Sequence, residues 1–129
     1  MELPELITRA SIESEVEVVI SRYHREQQGF APTQIRASLV RDMIYVRSTG
    51  VFTPTEQKLT ESEEGQKLVR SSRRELRSLT RRQAESEVAR AAGVSVLRSY
   101  WDMDVRVGEQ LEAYVLAEDL EEKLRHSES

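Results

Sequence analysis

The chain has 129 residues, enough for one domain at roughly 100–200 residues each, with 38% hydrophobic residues, 33% charged residues and a net charge of −4. That balance excludes a disordered polyelectrolyte, and no run approaches the roughly 18–20 apolar residues of a membrane span. The lack of cysteine excludes disulfides, thiolate zinc sites and thiol catalysis. His24 and His126 stand near opposite ends, so no local histidine metal motif forms either. The N-terminus shows no basic stretch followed by an apolar core, and a soluble cytoplasmic chain is expected. The expected organisation is a single domain over residues 1–129, with its core in about residues 11–117 and a charged tail at 118–129.

The charge is uneven. Residues 67–82 carry seven bases and one acid, and residues 93–129 carry nine acids and four bases. This polarity points to contact between the two segments, or with charged partners, more than to a bulk affinity for nucleic acid.

From about Ser11 to Gln27, Ile12, Val16, Val19, Ile20 and Tyr23 recur at steps of three and four, which predicts a helix lying on a core. Gly29, Phe30, Ala31 and Pro32 stop it. Ile35, Ala37 and Leu39 then alternate with polar residues, as do Ile44, Val46 and Ser48 after a turn at Arg41 and Asp42. This pattern predicts a hairpin. Thr53-Pro54-Thr55-Glu56 supplies a capping hydroxyl, a proline for the first helical position and a glutamate three residues after the cap. Helical pattern runs from Pro54 to about Ala92, with breaks expected near Glu64 and Gly65 and near Leu79 and Thr80, and Gly93 ends it. Two alternating stretches follow, Val94 to about Asp104 and Gln110 to Ala117, and then the charged tail as a short, weakly anchored helix.

The order α-β-β-α(α)-β-β-α predicts an α+β two-layer sandwich: an antiparallel four-stranded sheet with helices on one face. Successive strand residues point to opposite faces. With Ile35, Leu39, Ile44, Val46, Leu97, Trp101, Leu111 and Val115 turned to the helices, the outward set is Arg36, Tyr45, Arg47, Arg98, Tyr100, Asp102, Asp104, Glu112 and Tyr114. Tyrosine and arginine are the residues enriched at interface hot spots, and Arg36, Tyr45, Arg47, Arg98, Tyr100 and Tyr114 define a candidate interaction face for self-association. The same mixture suits a planar anion or stacked bases, or an ordinary solvated face with cross-strand pairs.

In the central helix Lys67, Arg70, Arg74, Arg77 and Arg81 form one expected stripe, with Leu68, Ser72, Leu76 and Leu79 opposite. A basic stripe can lie along phosphates or an anionic lipid surface, or be solvated and paired with the acidic C-terminal half. No second helix and turn accompanies it as sequence-specific DNA readers require. Asp102 and Asp104 share one strand face, yet two carboxylates are few for a magnesium or calcium site. No phosphate loop, nucleophile elbow or paired-histidine zinc motif occurs. No catalytic residue, metal ligand or cofactor is therefore assigned. Trp101 and Met103 read as core.

Gln34-Ile35-Arg36, Asp42-Met43-Ile44-Tyr45-Val46-Arg47 and Gly50-Val51-Phe52-Thr53-Pro54, followed by Glu56, Leu59, Thr60, Glu61, Glu64-Gly65 and Arg73-Arg74, resemble the MpsC-like family. The resemblance continues through Gly93-Val94, Asp102 and Gly108-Glu109, covers about residues 11–117, and is most specific in the Gly-Val-Phe-Thr-Pro-Thr-Glu block. Gly29-Phe30-Ala31-Pro32 departs from the family's glycine-basic-glycine-proline pattern. The resemblance implies a small accessory or regulatory protein beside a sodium-translocating membrane system, with a membrane-protein complex as its partner. The sheet face adds the expectation of a homo-oligomer. The alternatives are a nucleic-acid or nucleotide binding module using the basic helix or the sheet face, and an enzyme working through Asp102 and Asp104.

Overall fold

A computed structural model describes residues 7–128. The reading of the extreme N-terminus and the outer limits of the domain at residues 1 and 129 lie outside the described residues. The elements are α1 (Arg9–Gln28), β1 (Gln34–Val40), β2 (Met43–Thr49), α2 (Pro54–Leu59), α3 (Glu63–Ala92), β3 (Val96–Asp104), β4 (Glu109–Leu116) and α4 (Leu120–Glu128). The four strands form one antiparallel sheet in the order β1-β2-β4-β3, so the fold is α+β. The helices pack on one face, and the core there joins Ile12, Val16, Val19 and Ile20 of α1 to Leu39, Ile44 and Val46 of the first hairpin and to Ala84 and Val88 of α3. Burying an aliphatic side chain of this kind stabilises by about 1.5–3 kcal/mol. The tail is anchored more firmly than expected, because Leu120 and Leu124 of α4 join the same core.

Local chemistry explains the helix starts. Thr8 Oγ1 accepts from Ser11 N at 3.0 Å and Thr8 N donates to Ser11 Oγ at 2.8 Å. Thr53 Oγ1 accepts from Glu56 N at 3.2 Å while Thr53 N donates to Glu56 Oε1 at 3.0 Å. Both are capping boxes, each satisfying two otherwise orphaned N–H groups.

The helical stretch after Pro54 differs from the expectation at both predicted breaks. The chain turns at Thr60–Ser62, and Ser62 Oγ then accepts from Gly65 N at 3.0 Å to start α3. Gly65 sits inside the helix, and a Cβ there would lie 1.6 Å from the Leu59 carbonyl oxygen. Its absent side chain lets the end of α2 press against α3. The second break does not exist, and α3 runs unbroken for 30 residues. Its buried line is Val69, Arg73, Arg77, Ala84, Val88 and Ala92, whereas Leu68 and Leu79 are 61% and 74% exposed. The expected stripes were therefore exchanged in part: two arginines occupy the inward line and two leucines the outward one.

The strand phase also needs correction. On β4 Gln110, Glu112 and Tyr114 face the helices and Leu111 faces out, 48% exposed. Glu112 and Tyr114 thus leave the outward set. A bulge between Val96 and Arg98 turns Leu97 outward, while Arg98, Tyr100 and Asp102 keep the outer face. Both sheet edges are partly blocked by side chains. Glu17 Oε2 accepts from Ala37 N at 2.9 Å and Glu13 Oε2 from Leu39 N at 2.8 Å, so two free donors of edge strand β1 are tied to α1. On β3, Arg70 donates to the Met103 carbonyl. Such blocking discourages strand addition at an edge.

Gly65→Ala is expected to destabilise the domain by roughly 1–3 kcal/mol, the usual cost of overpacking. Urea unfolding followed by circular dichroism measures it; an unchanged midpoint would mean that the α2–α3 corner tolerates the added methyl.

Candidate functional site

The outer face of the sheet is covered by no other element among the described residues. Register arranges it in rows. One row runs Ser38, Tyr45, Ala113, Tyr100, and the next Arg36, Arg47, Leu111, Asp102. Strands lie about 4.8 Å apart, which sets the two tyrosines roughly 10 Å apart across the small Ala113. Tyr45 is 36% exposed and Tyr100 58%. Arg98 Nε donates to Tyr100 OH at 3.2 Å, and Arg47 pairs with Glu109 at 2.9 Å. The face is an apolar and phenolic centre with cations on its flanks. Arg36, Tyr45, Arg47, Arg98 and Tyr100 all lie on it. Tyr114 does not.

Behind this face lies a buried set of charges. Glu112, with no exposed surface, accepts from Arg77 Nη1 at 2.5 Å and from Tyr114 OH. Arg77 Nη2 also donates to Ser99 Oγ at 3.2 Å and to Tyr114 OH at 3.3 Å, and its guanidinium lies 5.5 Å from the centre of the Tyr114 ring. Ser99 Oγ donates to Glu85 Oε2 at 2.6 Å. Trp101 Nε1 donates to Gln110 Oε1 at 3.2 Å, Gln110 Nε2 lies 2.8 Å from His24 Nε2, and His24 Nε2 lies 3.4 Å from Glu112 Oε1.

Burial by itself would raise the Glu112 carboxyl, but Arg77 and His24 hold it down to about 2. Burial and the adjacent Glu112 push the Tyr114 phenol well above its usual range. Burial opposes the charge on Arg77, and the Glu112 carboxylate overcomes it, so the guanidinium stays charged. This cluster joins α1, α3, β3 and β4. It is a structural ion-pair network, with Glu112 closed to solvent.

A second buried arginine shapes the Gly-Val-Phe-Thr-Pro-Thr-Glu block. Arg73, 4% exposed, donates to Glu56 at 2.5 and 2.7 Å and to the Val51 carbonyl at 2.6 Å. Burial raises Glu56, while Arg73 and the Thr53 N–H outweigh it and lower the carboxyl. One carboxylate thus caps α2 and anchors α3. Val51 and Phe52 beside it pack on Val69 and Met103 in a smaller core.

The expected basic stripe is divided by these contacts. Lys67, Arg74 and Arg81 are exposed, but Arg70 binds Asp102 at 2.8 Å and Arg77 is buried. Arg77 leaves the solvent-facing set because its partner is on β4. Asp102 is lowered by the Met103 N–H and by Arg70, and Asp104 by Arg106. Each aspartate is hydrogen-bonded by a different arginine, Asp102 by Arg70 and Asp104 by Arg106. The sequence reading missed Glu112, Gln110, His24 and Arg73 as a buried polar set. The available signal was arginine at 73 and 77 on the line that carries Val69, Ala84 and Val88, since a charge on an apolar line demands an internal partner.

A family model described as MpsC, Na+-translocating membrane potential-generating system (MpsC), matches residues 8–118. The chain belongs to the MpsC family. The match spans α1 through β4 and so contains the open face, the Arg73 clamp and the buried cluster. A relative from Bacillus subtilis (strain 168), given as "Uncharacterized protein YbcI", is 28% identical over 117 residues, covering 91% of this chain and 94% of its own length. No solved structure matches. In this MpsC-family chain no helix among the described residues is long and apolar enough to cross a membrane.

Removing one member of a buried pair typically costs about 3–5 kcal/mol, whereas replacing both by well-packed apolar groups is often neutral. Arg77→Met or Glu112→Leu is therefore expected to unfold at much lower urea than the double variant; equal single and double losses would show that the pair does not act as one unit. Because folding depresses the Glu112 carboxyl from 4.5 to about 2, its contribution is complete above the unfolded value and is lost as pH falls from about 4.5 toward 2. The stability gap between wild type and Glu112→Gln should accordingly narrow across that acid window, as urea midpoints at pH 7 and at pH 3 would reveal.

Proposed function

We propose that this chain is an accessory protein of a sodium-linked membrane system, acting by docking rather than catalysis, and that it assembles as a homodimer through the outer face of its sheet. The sodium-linked role rests on the family description alone. The dimer rests on one observation: a four-stranded sheet with Tyr45, Ala113, Tyr100 and Leu111 at its centre and no covering element among the described residues.

Two features support a second copy as the occupant of this face, which strands about 4.8 Å apart and about 3.3 Å per residue make roughly 19 by 23 Å. It carries both signs, Arg36, Arg47 and Arg98 with Asp102 and Glu109, which suits charge pairing between two copies. The edges, blocked by Glu13, Glu17 and Arg70, favour face-to-face over edge-to-edge assembly.

Sedimentation velocity at high micromolar concentration should give a dimer for the wild type, and for Val18→Arg on the outer side of α1. Ala113→Arg and Tyr100→Arg should give monomers. A monomeric wild type overturns the assembly. In cells, the Tyr100→Arg variant should lower the Na+-dependent membrane potential reported by a voltage-sensitive dye; a normal potential with a broken dimer would separate the assembly from the role.

A further inference from the structure

We infer that the outer face of α3 is a docking surface for an anionic lipid bilayer. Residues 67–82 hold seven cations, and the structure commits three of them internally: Arg70 to Asp102, Arg73 to Glu56 and Arg77 to Glu112. Among the described residues Lys67, Arg74 and Arg82 have no ion-pair partner, and Arg81 reaches only Glu85 at 3.9 Å. All four are exposed, with Glu75 as the one acid in the segment. At 1.5 Å per residue this charged ridge is about 23 Å long.

The leucines identify the occupant. Leu68 and Leu79 are 61% and 74% exposed, and their spacing of eleven residues, about three turns, puts them on one line of the helix. The cations lie along one side of that line, Arg82 nearest to it and Lys67, Arg74 and Arg81 further round the helix, with Glu75 beside the leucines. Phosphate-backbone recognition has a use for the cations and none for two outward leucines. A bilayer surface takes both, the leucines entering the headgroup and acyl boundary while the long basic side chains reach lipid phosphates. Each lysine or arginine near an anionic leaflet adds to binding, and the attraction falls off within a Debye length.

The site is independent of the homodimer. The helical layer and the open sheet face are opposite sides of the sandwich, so a bilayer on α3 leaves the sheet face free. A two-fold dimer joined at the sheets turns its two α3 faces apart, so one copy at a time meets a given bilayer.

Vesicle co-sedimentation tests the inference with the full chain. Vesicles of phosphatidylcholine with phosphatidylglycerol should bind at low salt, and vesicles of phosphatidylcholine alone should not. Arg74→Glu with Arg82→Glu should weaken binding by about tenfold or more, and the matched double lysine variant should retain it. Leu68→Ser with Leu79→Ser should weaken binding while circular dichroism and the urea midpoint stay unchanged, since both positions are solvent-exposed. No binding to anionic vesicles, or full binding by the leucine variant, overturns the inference. So does salt-sensitive binding of a DNA duplex that the leucine variant keeps in the absence of vesicle binding, which would assign the ridge to nucleic acid.

Discussion

The ion pair between Arg77 and Glu112 is the constraint from which the rest of the arrangement follows. A fully buried carboxylate in the middle of a sheet is tolerable only where a cation and further donors reach it. Here Arg77, Tyr114 and His24 do so from three directions. The pair therefore fixes which face of β4 turns to the helices and at what height α3 lies across the sheet. Ser99, Glu85, Gln110 and Trp101 extend the same network into the neighbouring strand and helix. A one-residue slip of β4 would strand the charge and expel Tyr114 from the core.

The character of the open face is the other side of that same choice. With Gln110, Glu112 and Tyr114 inside, Leu111 and Ala113 must point outward, between Tyr45 and Arg47 on one side and Tyr100 and Asp102 on the other. The outer surface is thus more apolar along its centre than a surface carrying Glu112 would be. On β4 alone, polar residues within and Leu111 without reverse the usual arrangement of a one-sided sheet, while β1 and β2 keep Leu39, Ile44 and Val46 inside.

A second arginine performs the corresponding task at the other end of α3. Arg73 holds Glu56, Glu56 caps α2, and Gly65 lets the end of α2 press against α3. Together the two buried arginines convert a helix of weak apolar content into one anchored at both the loop and the sheet. Their withdrawal from solvent also decides which cations of α3 remain available outside: Lys67, Arg74, Arg81 and Arg82.

Element identity was legible from the residues alone. The periods of three to four in α1 and of two in the strands, the Thr53-Pro54-Thr55-Glu56 start and the Gly93 stop are local signals, and local backbone chemistry obeys them wherever the chain goes. The family resemblance was legible for the same reason, since its most specific block is one short turn and cap. Which side of each element faces inward is a different kind of question where both sides carry comparable residues. Leu111 and Glu112, or Leu79 and Arg77, are neighbours whose burial cannot be ranked by hydropathy when a charged residue has a partner waiting. Only the folded chain brings Arg77 to Glu112 across 35 positions of sequence. A buried charge is decided by its partner's position in space, and that position does not exist until the tertiary structure has formed.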